Sequence, residues 1–503
     1  MHGYSVLSQT ESCLYSVDYK KKESKGVFND LSLLQKYIVV AVLYGLFILF
    51  FNQNYWANVL VLGLQILVFV YLLIKKDFEQ YMALYLIFSS MSLEFEYMSG
   101  EFYGWKNFRI LGITVAMWFI LPLFFVALYN ILQIKRIKKT QINRIAYVFV
   151  SLNIVGVVVG IITLVSNDNI PFTFSSLLMF FWACYENITR ILVPAVVFSF
   201  FLQDSKTVSK IKAAVIAILF GIIIQEIASV ATGIMGTMWN DKVLMVGPIQ
   251  TFAPFILLFC VFEEYNIKNI SFIFGAIACF FAMKYSFGSG QFIILFSVPF
   301  WLFLIIMERK CQKEYQMLLW GGIIIIPLAI LVFLKIDYGD SIKYKLDQAI
   351  NFLCIWKTNW LENLPVSARF RVEEIRGIVA EYIKKPYFSF LGKGYMGTFK
   401  DVNNYFFTCS EAGDIHAFSQ FEWTSKAFYS VHESFDKIFL TNGLLGVAVF
   451  VKIICKGIKN VGKSPFLATG VMWFVWYWGY STTYSFFGMV CLFLGIRDLE
   501  KSI

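Results

Sequence analysis

Residues 145–166, IAYVFVSLNIVGVVVGIITLVS, run for 22 positions without a charged side chain. Wound as an α-helix at 1.5 Å per residue, such a run rises about 33 Å, enough to cross roughly 30 Å of hydrocarbon. It is one of fourteen apolar runs, some of them short, at about 36–52, 56–74, 79–93, 110–130, 145–166, 177–202, 213–235, 248–264, 269–286, 291–308, 317–334, 435–455, 465–481 and 483–497. The chain as a whole agrees. Of its 503 residues 58% are hydrophobic and 19% aromatic, and the mean hydropathy is +0.67, against about 45–50% apolar in a soluble domain. The expectation is an all-α polytopic membrane protein with about 14 transmembrane helices.

The net charge of +10 acquires a meaning once it is mapped onto these spans. With the N-terminus inside, the inner segments hold 22 Lys and Arg, and the short outer loops hold 3, namely Lys106, Arg109 and Lys242. Positive residues mark the cytoplasmic side, so both termini are expected inside. A basic run such as KRIKK at 135–139 is then a membrane anchor, and nucleic acid is excluded as a partner. The first 35 residues are polar and lack an apolar core before a cleavage site, so the first span is expected to act as the export signal. The expected organisation is a cytoplasmic tail at 1–35, a membrane domain of about 11 spans at 36–334, one large outer loop at 335–434, three spans at 435–497 and a tail at 498–503.

That outer loop carries 12 basic and 12 acidic residues over a hundred positions, a folded insertion rather than a connector. Within it, SARFRVEEIRGIVAEYIKKP at 367–386 reads as an amphipathic helix. Val372, Ile375, Ile378, Val379 and Tyr382 form its apolar stripe, and Pro386 follows its end. Arg369, Glu373 and Arg376 stand at ladder spacing, which reads as a solvated charge network. Arg371 lies on the flank of the stripe, where either solvent or a cleft is open to it. In LGKGY, Gly392 and Gly394 read as a turn that needs positive φ; with no Walker or dinucleotide pattern beside them, nucleotide binding has no support.

The chain has three histidines. His416 sits in a polar stretch and reads as a surface residue. His432, followed by Glu433, directly precedes an apolar span. It is expected at the outer membrane surface, either as a polar cap or as an imidazole able to take a proton from a hydroxyl. Charges inside spans face a cavity or a partner: Glu186 and Arg190 are four apart and suit one helix face, whereas Glu226 has no evident local partner. Lys284 stands near a span end and can snorkel. Arg109 ends an outer loop that also carries Glu94, Glu96 and Glu101, and it is a candidate for an extracytoplasmic anion site. Most of the nine cysteines lie in apolar segments; Cys354 and Cys409 share the outer loop, and a disulfide between them stays open. No D-x-D pair or His/Glu cluster at ligand spacing is present, so neither a metal nor another cofactor is expected.

Arg371, the helix to Lys385, Pro386 and the pair Gly392 and Gly394, followed by His432 eleven residues before GLLG at 443–446, resemble the loop motifs of the O-antigen ligase and O-antigen polymerase superfamily of bacterial envelope glycan assembly. The resemblance covers about 80 residues, Ser367 to Gly446. It implies a GT-C-like membrane glycosyltransferase in the inner membrane, with its active site facing the periplasm. The donor it implies is a glycan on undecaprenyl pyrophosphate, and the acceptor is a sugar hydroxyl. On that resemblance His432 is the general base, Arg371 binds the pyrophosphate, and inversion at the anomeric carbon follows. Two departures stand out. Glu433 occupies a position where many members have asparagine. GSGQ at 288–291 lacks the arginine of the family's S-R-G, which leaves Arg190 or Arg109, with Arg376 in the loop, as substitute cations. Between the two acceptor classes, a second lipid-linked repeat unit (polymerase) is favoured over lipid A core (ligase), with a chain-length regulator as a candidate further partner. A lipid-linked oligosaccharide flippase or other transporter is the alternative of a different class, with Glu226, Arg190 and Lys284 along its path.

Overall fold

A computed structural model of the chain describes residues 31–51, 54–92, 105, 108–133, 140–166, 169–232, 237–239, 242–244, 355–364, 366–408, 418–431, 434–460 and 482–501, together with 463–464, 466–467, 469–471 and 474. The spans expected at 248–264, 269–286, 291–308 and 317–334 lie outside the described residues, as does most of 465–481. So do Lys284, the GSGQ stretch, Cys354, Cys409, the acidic residues of the 94–101 loop, and His416, His432 and Glu433.

The described chain is helical: α1 (Leu31–Phe51), α2 (Tyr55–Lys75), α3 (Phe78–Met91), α4 (Val115–Gln133), α5 (Gln141–Val165), α6 (Phe174–Asn187), α7 (Val193–Phe201) and α8 (Ser205–Thr232) precede α9 (Val366–Lys384), α10 (Tyr387–Leu391), α11 (Tyr405–Thr408) and α12 (Gln420–Ser425), and α13 (Ser434–Lys459) and α14 (Thr482–Lys501) close it. Two small antiparallel ladders, β1 (Arg109–Ile110) with β2 (Ile113–Thr114) and β3 (Thr237–Trp239) with β4 (Lys242–Leu244), complete the described elements. Six stretches are long and apolar enough to cross a membrane: Leu33–Phe51, Tyr55–Lys75, Val115–Gln133, Gln141–Val165, Phe174–Phe201 and Ser434–Lys459. The protein is an all-α membrane protein. The run expected as a span at 79–93 forms α3, whose 14 residues rise only about 21 Å and are buried on almost every side. Its apolar residues pack against neighbouring helices.

Caps set the helix starts. Thr140 accepts from Asn143 N, and Asp77 accepts from Gln80 N one residue after Lys76 turns left-handed to end α2. Thr173 and Ser176 form a reciprocal capping box at the start of α6. One apolar core runs through α1, α3, α4, α5, α7, α8, α13 and α14, with Tyr81, Phe149, Phe198 and Phe493 at its centre.

Ion pairs and hydrogen bonds tie the helix ends together. Lys210 pairs with Glu79 at 2.9 Å, Lys212 with Asp498 at 2.7 Å, and Arg497 with Glu500 at 3.1 Å, while Glu500 also accepts from the backbone of Gln141 and Ile142. All these residues belong to segments, or ends of spans, assigned to the inner side. At the other end, Asn169 of an expected outer loop donates to Glu381 of α9 at 3.0 Å.

Helix α9 exists where the periodicity puts it, but its buried face is turned. Phe370, Glu373, Glu374, Gly377, Ile378, Glu381 and Tyr382 are buried, while Val379 is exposed. Three carboxylates therefore sit on the inner face, and the expected stripe shares only Ile378 and Tyr382 with it. The physical reason is partnership. Glu373 is held by Arg369 at 3.9 Å, Arg376 at 3.3 Å and Asn403 at 2.6 Å, so the ladder read as solvated closes over a buried carboxylate. Arg369 also covers the Tyr405 ring at 4.2 Å. Around this face Phe370, Phe399, Phe406, Phe418 and Phe428 build a separate aromatic core for the loop.

Candidate functional site

Two places where residues 366–431 meet the long apolar helices bring polar groups together.

The first is the G-x-G turn. Gly392 and Gly394 have φ of +79° and +72°, as the sequence requires. In α13, Gly443 has φ +59° and ψ −153°, a region that only glycine occupies readily. This break interrupts the helical hydrogen bonds and frees carbonyls just before it. Lys393 N donates to Leu440 O at 2.8 Å and Gly394 N to Thr441 O at 3.1 Å, while the Tyr382 hydroxyl donates to Phe439 O at 2.5 Å. On the opposite side the turn lies in a notch of α5 left by Gly156 and Gly160. Tyr395 N donates to Gly156 O at 2.9 Å, and its hydroxyl donates to Asn153 Oδ1 at 2.7 Å. The two separate glycine motifs, G-x-G and GLLG, are thus one piece of packing, completed by α5.

Lys393, between the two glycines, is fully buried. Its ammonium is 3.1 Å from Glu381 Oε2 and donates to Thr398 O at 2.6 Å. Removing one partner of such a pair leaves an uncompensated charge. Lys393→Met is therefore expected to cost about 3–5 kcal/mol, read as a lowered melting temperature in detergent. The double replacement with Glu381→Leu is expected to recover most of the loss.

The second place is a charge cluster. Pro194, in the first turn of α7, offers no N–H to the carbonyl of Arg190 and crowds it. The chain widens into a π-turn over Ile188–Leu192, with Val193 N bonded to Ile188 O, a feature found mostly at functional sites. Arg190 sits in this turn with its guanidinium 3.5 Å from Glu186, as their spacing predicts. Tyr185, beside Glu186, is within electrostatic reach of Arg109. Lys437, in the first turn of α13, lies within electrostatic reach of Glu186, Arg190 and Glu422. Cations from the π-turn and α13, Arg190 and Lys437, thus share Glu186 as a counter-charge, with Glu422 a second one for Lys437, and Arg109 of β1 lies near Tyr185, the neighbour of Glu186.

Glu422 orders the approach to α13. Fully buried, it caps α12 through Ser419 and takes Tyr429 N at 2.8 Å, Ser430 N at 2.7 Å and Ser430 Oγ at 3.0 Å. One carboxylate therefore fixes the chain two residues before His432. Burial, aided by Glu422, pushes the Tyr429 phenol up to about 12, so it stays a neutral hydroxyl at physiological pH.

Of the residues singled out in the sequence, Arg190 joins this cluster and Arg109 lies near Tyr185. Arg376 is exposed and engaged with Glu373, and Arg371 is half-buried on α9. Glu226 falls within α8, with its side chain outside the described residues. Sequence reading missed Lys393, Glu422, Tyr429 and Lys437. Two signals were available: S-x-x-E at 419–422, a capping-box pattern, and G-x-x-x-G at 156–160, which marks close backbone approach between membrane segments. Chemically, guanidinium and ammonium groups gathered in a low-dielectric site suit an anion such as a phosphate ester, and stabilise charge that develops on it.

Comparison with protein-family models, with curated proteins and with solved structures finds no match to this chain.

Proposed function

We propose that the chain is a glycosyltransferase, an O-antigen polymerase of the bacterial inner membrane that joins undecaprenyl-pyrophosphate-linked oligosaccharide repeat units at the periplasmic face. The full reading has about 14 spans and a large periplasmic loop at 335–434 that closes over the site. One observation supports it above the others: Lys437, in the first turn of α13, lies within electrostatic reach of Arg190 and Glu186, next to the segment that Glu422 anchors ahead of His432. Anion-binding groups and a base are needed side by side in this chemistry.

In the reaction, the His432 imidazole takes the proton of an acceptor sugar hydroxyl as its oxygen attacks the anomeric carbon of the donor. The bond from that carbon to the diphosphate oxygen breaks, and the negative charge passes to the diphosphate. Arg371 is assigned to the pyrophosphate, with Arg190 and Arg109 standing in for the S-R-G arginine. Arg376 is a weaker candidate, since it already pairs with Glu373. Glu433 is assigned to the orientation of the imidazole, and Glu226 is an accessory residue. The chemistry calls for no cofactor.

Purified protein given a lipid-linked repeat unit alone is expected to yield longer chains. Transfer only after addition of lipid A core would replace this reading by the ligase. No bond formation in either case, with movement of the lipid-linked glycan across a vesicle membrane, would replace it by the transporter.

A further inference from the structure

We propose that α10 and the end of α9 form a re-entrant element whose Tyr387 and Phe390 lie against lipid acyl chains of the outer leaflet, so that the outer loop is partly seated in the bilayer. The inference is independent of the glycosyl-transfer reading.

Depth is set by α5. This membrane-crossing helix exposes Ile154, Val158 and Ile162, at 56%, 50% and 57%, and such a face is satisfied by hydrocarbon. Gly156 and Gly160, which hold Tyr395 and Gly394, fall within the same two turns. The G-x-G turn therefore stands level with lipid-facing side chains rather than above them.

Irregular backbone at that depth is tolerated only where protein satisfies its polar groups, and here it does. The N–H groups of residues 392 to 395 all find carbonyls, in α10, in α13 and in α5, and Lys393 O accepts the Thr163 hydroxyl at 2.7 Å.

The outward side of the same element has the chemistry of a membrane interface. Tyr387 and Phe390 are 67% and 61% exposed, although a five-residue helix in a water-facing domain would normally turn such rings inward. The backbone of Phe390 abuts Gly443, and Leu444, the next residue of α13, is itself exposed. The apolar surface thus continues from α13 onto α10. Lys384 and Lys385 close α9 just before it, where amines suit headgroup phosphates.

The test places a photo-reactive benzoylphenylalanine singly at Phe390, at Leu444 and at Val402 in the full chain. Val402 is exposed beside Asn403 and Asn404 on the far part of the loop. The protein is reconstituted in nanodiscs of phosphatidylethanolamine and phosphatidylglycerol, and adducts are read by mass spectrometry. Phospholipid adducts at 390 and 444 but not at 402 are expected. A position 390 that behaves like 402, with adducts at 444 intact, would overturn the proposal; adducts at all three positions would overturn it equally, since contact would then not be confined to α10.

Discussion

His432→Ala is expected to slow glycan extension by about 10²–10⁴-fold, the usual contribution of a positioned general base, while the protein stays in the membrane at its normal level. The expectation rests on both sides of the residue. Before it, residues 429 and 430 are fixed by Glu422; after it, Ser434 opens α13, with Lys437 one turn on beside Arg190 and Glu186. The chain is thus anchored on both sides of the proposed base. His416→Ala, in the polar part of the loop, is expected to leave chain length nearly unchanged. Glycans of near-normal length in cells carrying His432→Ala would remove the general base from the mechanism.

Gly443→Ala is expected to be strongly destabilising. The backbone there has φ +59° and ψ −153°, which costs a non-glycine residue on the order of 1–3 kcal/mol. The added Cβ would also run into Gly392 N and the carbonyls of Ser389 and Phe390. Relief requires α10 to move away from α13, which breaks the bonds of Lys393 and Gly394 to Leu440 and Thr441. Loss of several kcal/mol follows by analogy with overpacking of a core, seen as aggregation in detergent or a strongly lowered melting temperature. Gly63→Ala is the control: its Cβ meets nothing within 4 Å in the middle of α2, and it is expected to be neutral or slightly stabilising. Equal melting temperatures for the two variants would contradict the packing described at the kink.

How much of this is legible in the sequence depends on where each interaction's partner lies. Apolar length alone locates α1, α2, α4, α5, the α6–α7 pair and α13, because a lipid-facing helix advertises itself within its own residues. The positive φ at Gly392 and Gly394 is legible for the same reason, as is the Glu186–Arg190 pair. The turned face of α9 is not, since Glu373 and Glu381 are buried by virtue of Asn403, Lys393 and Asn169, and the last of these is 212 residues distant from Glu381. Nor does an apolar stretch betray the break at Gly443, where GLLG reads as helix until the G-x-G turn is seen against it. The charge cluster is the extreme case: Arg190, Glu422 and Lys437 come from three separate segments, and only the fold brings them together.

The most direct test of the account is an experimental structure of the reconstituted protein with its lipid-linked donor bound. The diphosphate is expected between the π-turn and the first turn of α13, with Arg190 or Lys437 nitrogens at about 2.7–2.9 Å from its oxygens. A diphosphate held instead at the opposite end of the helices, among Lys210, Lys212 and Arg497, would contradict it.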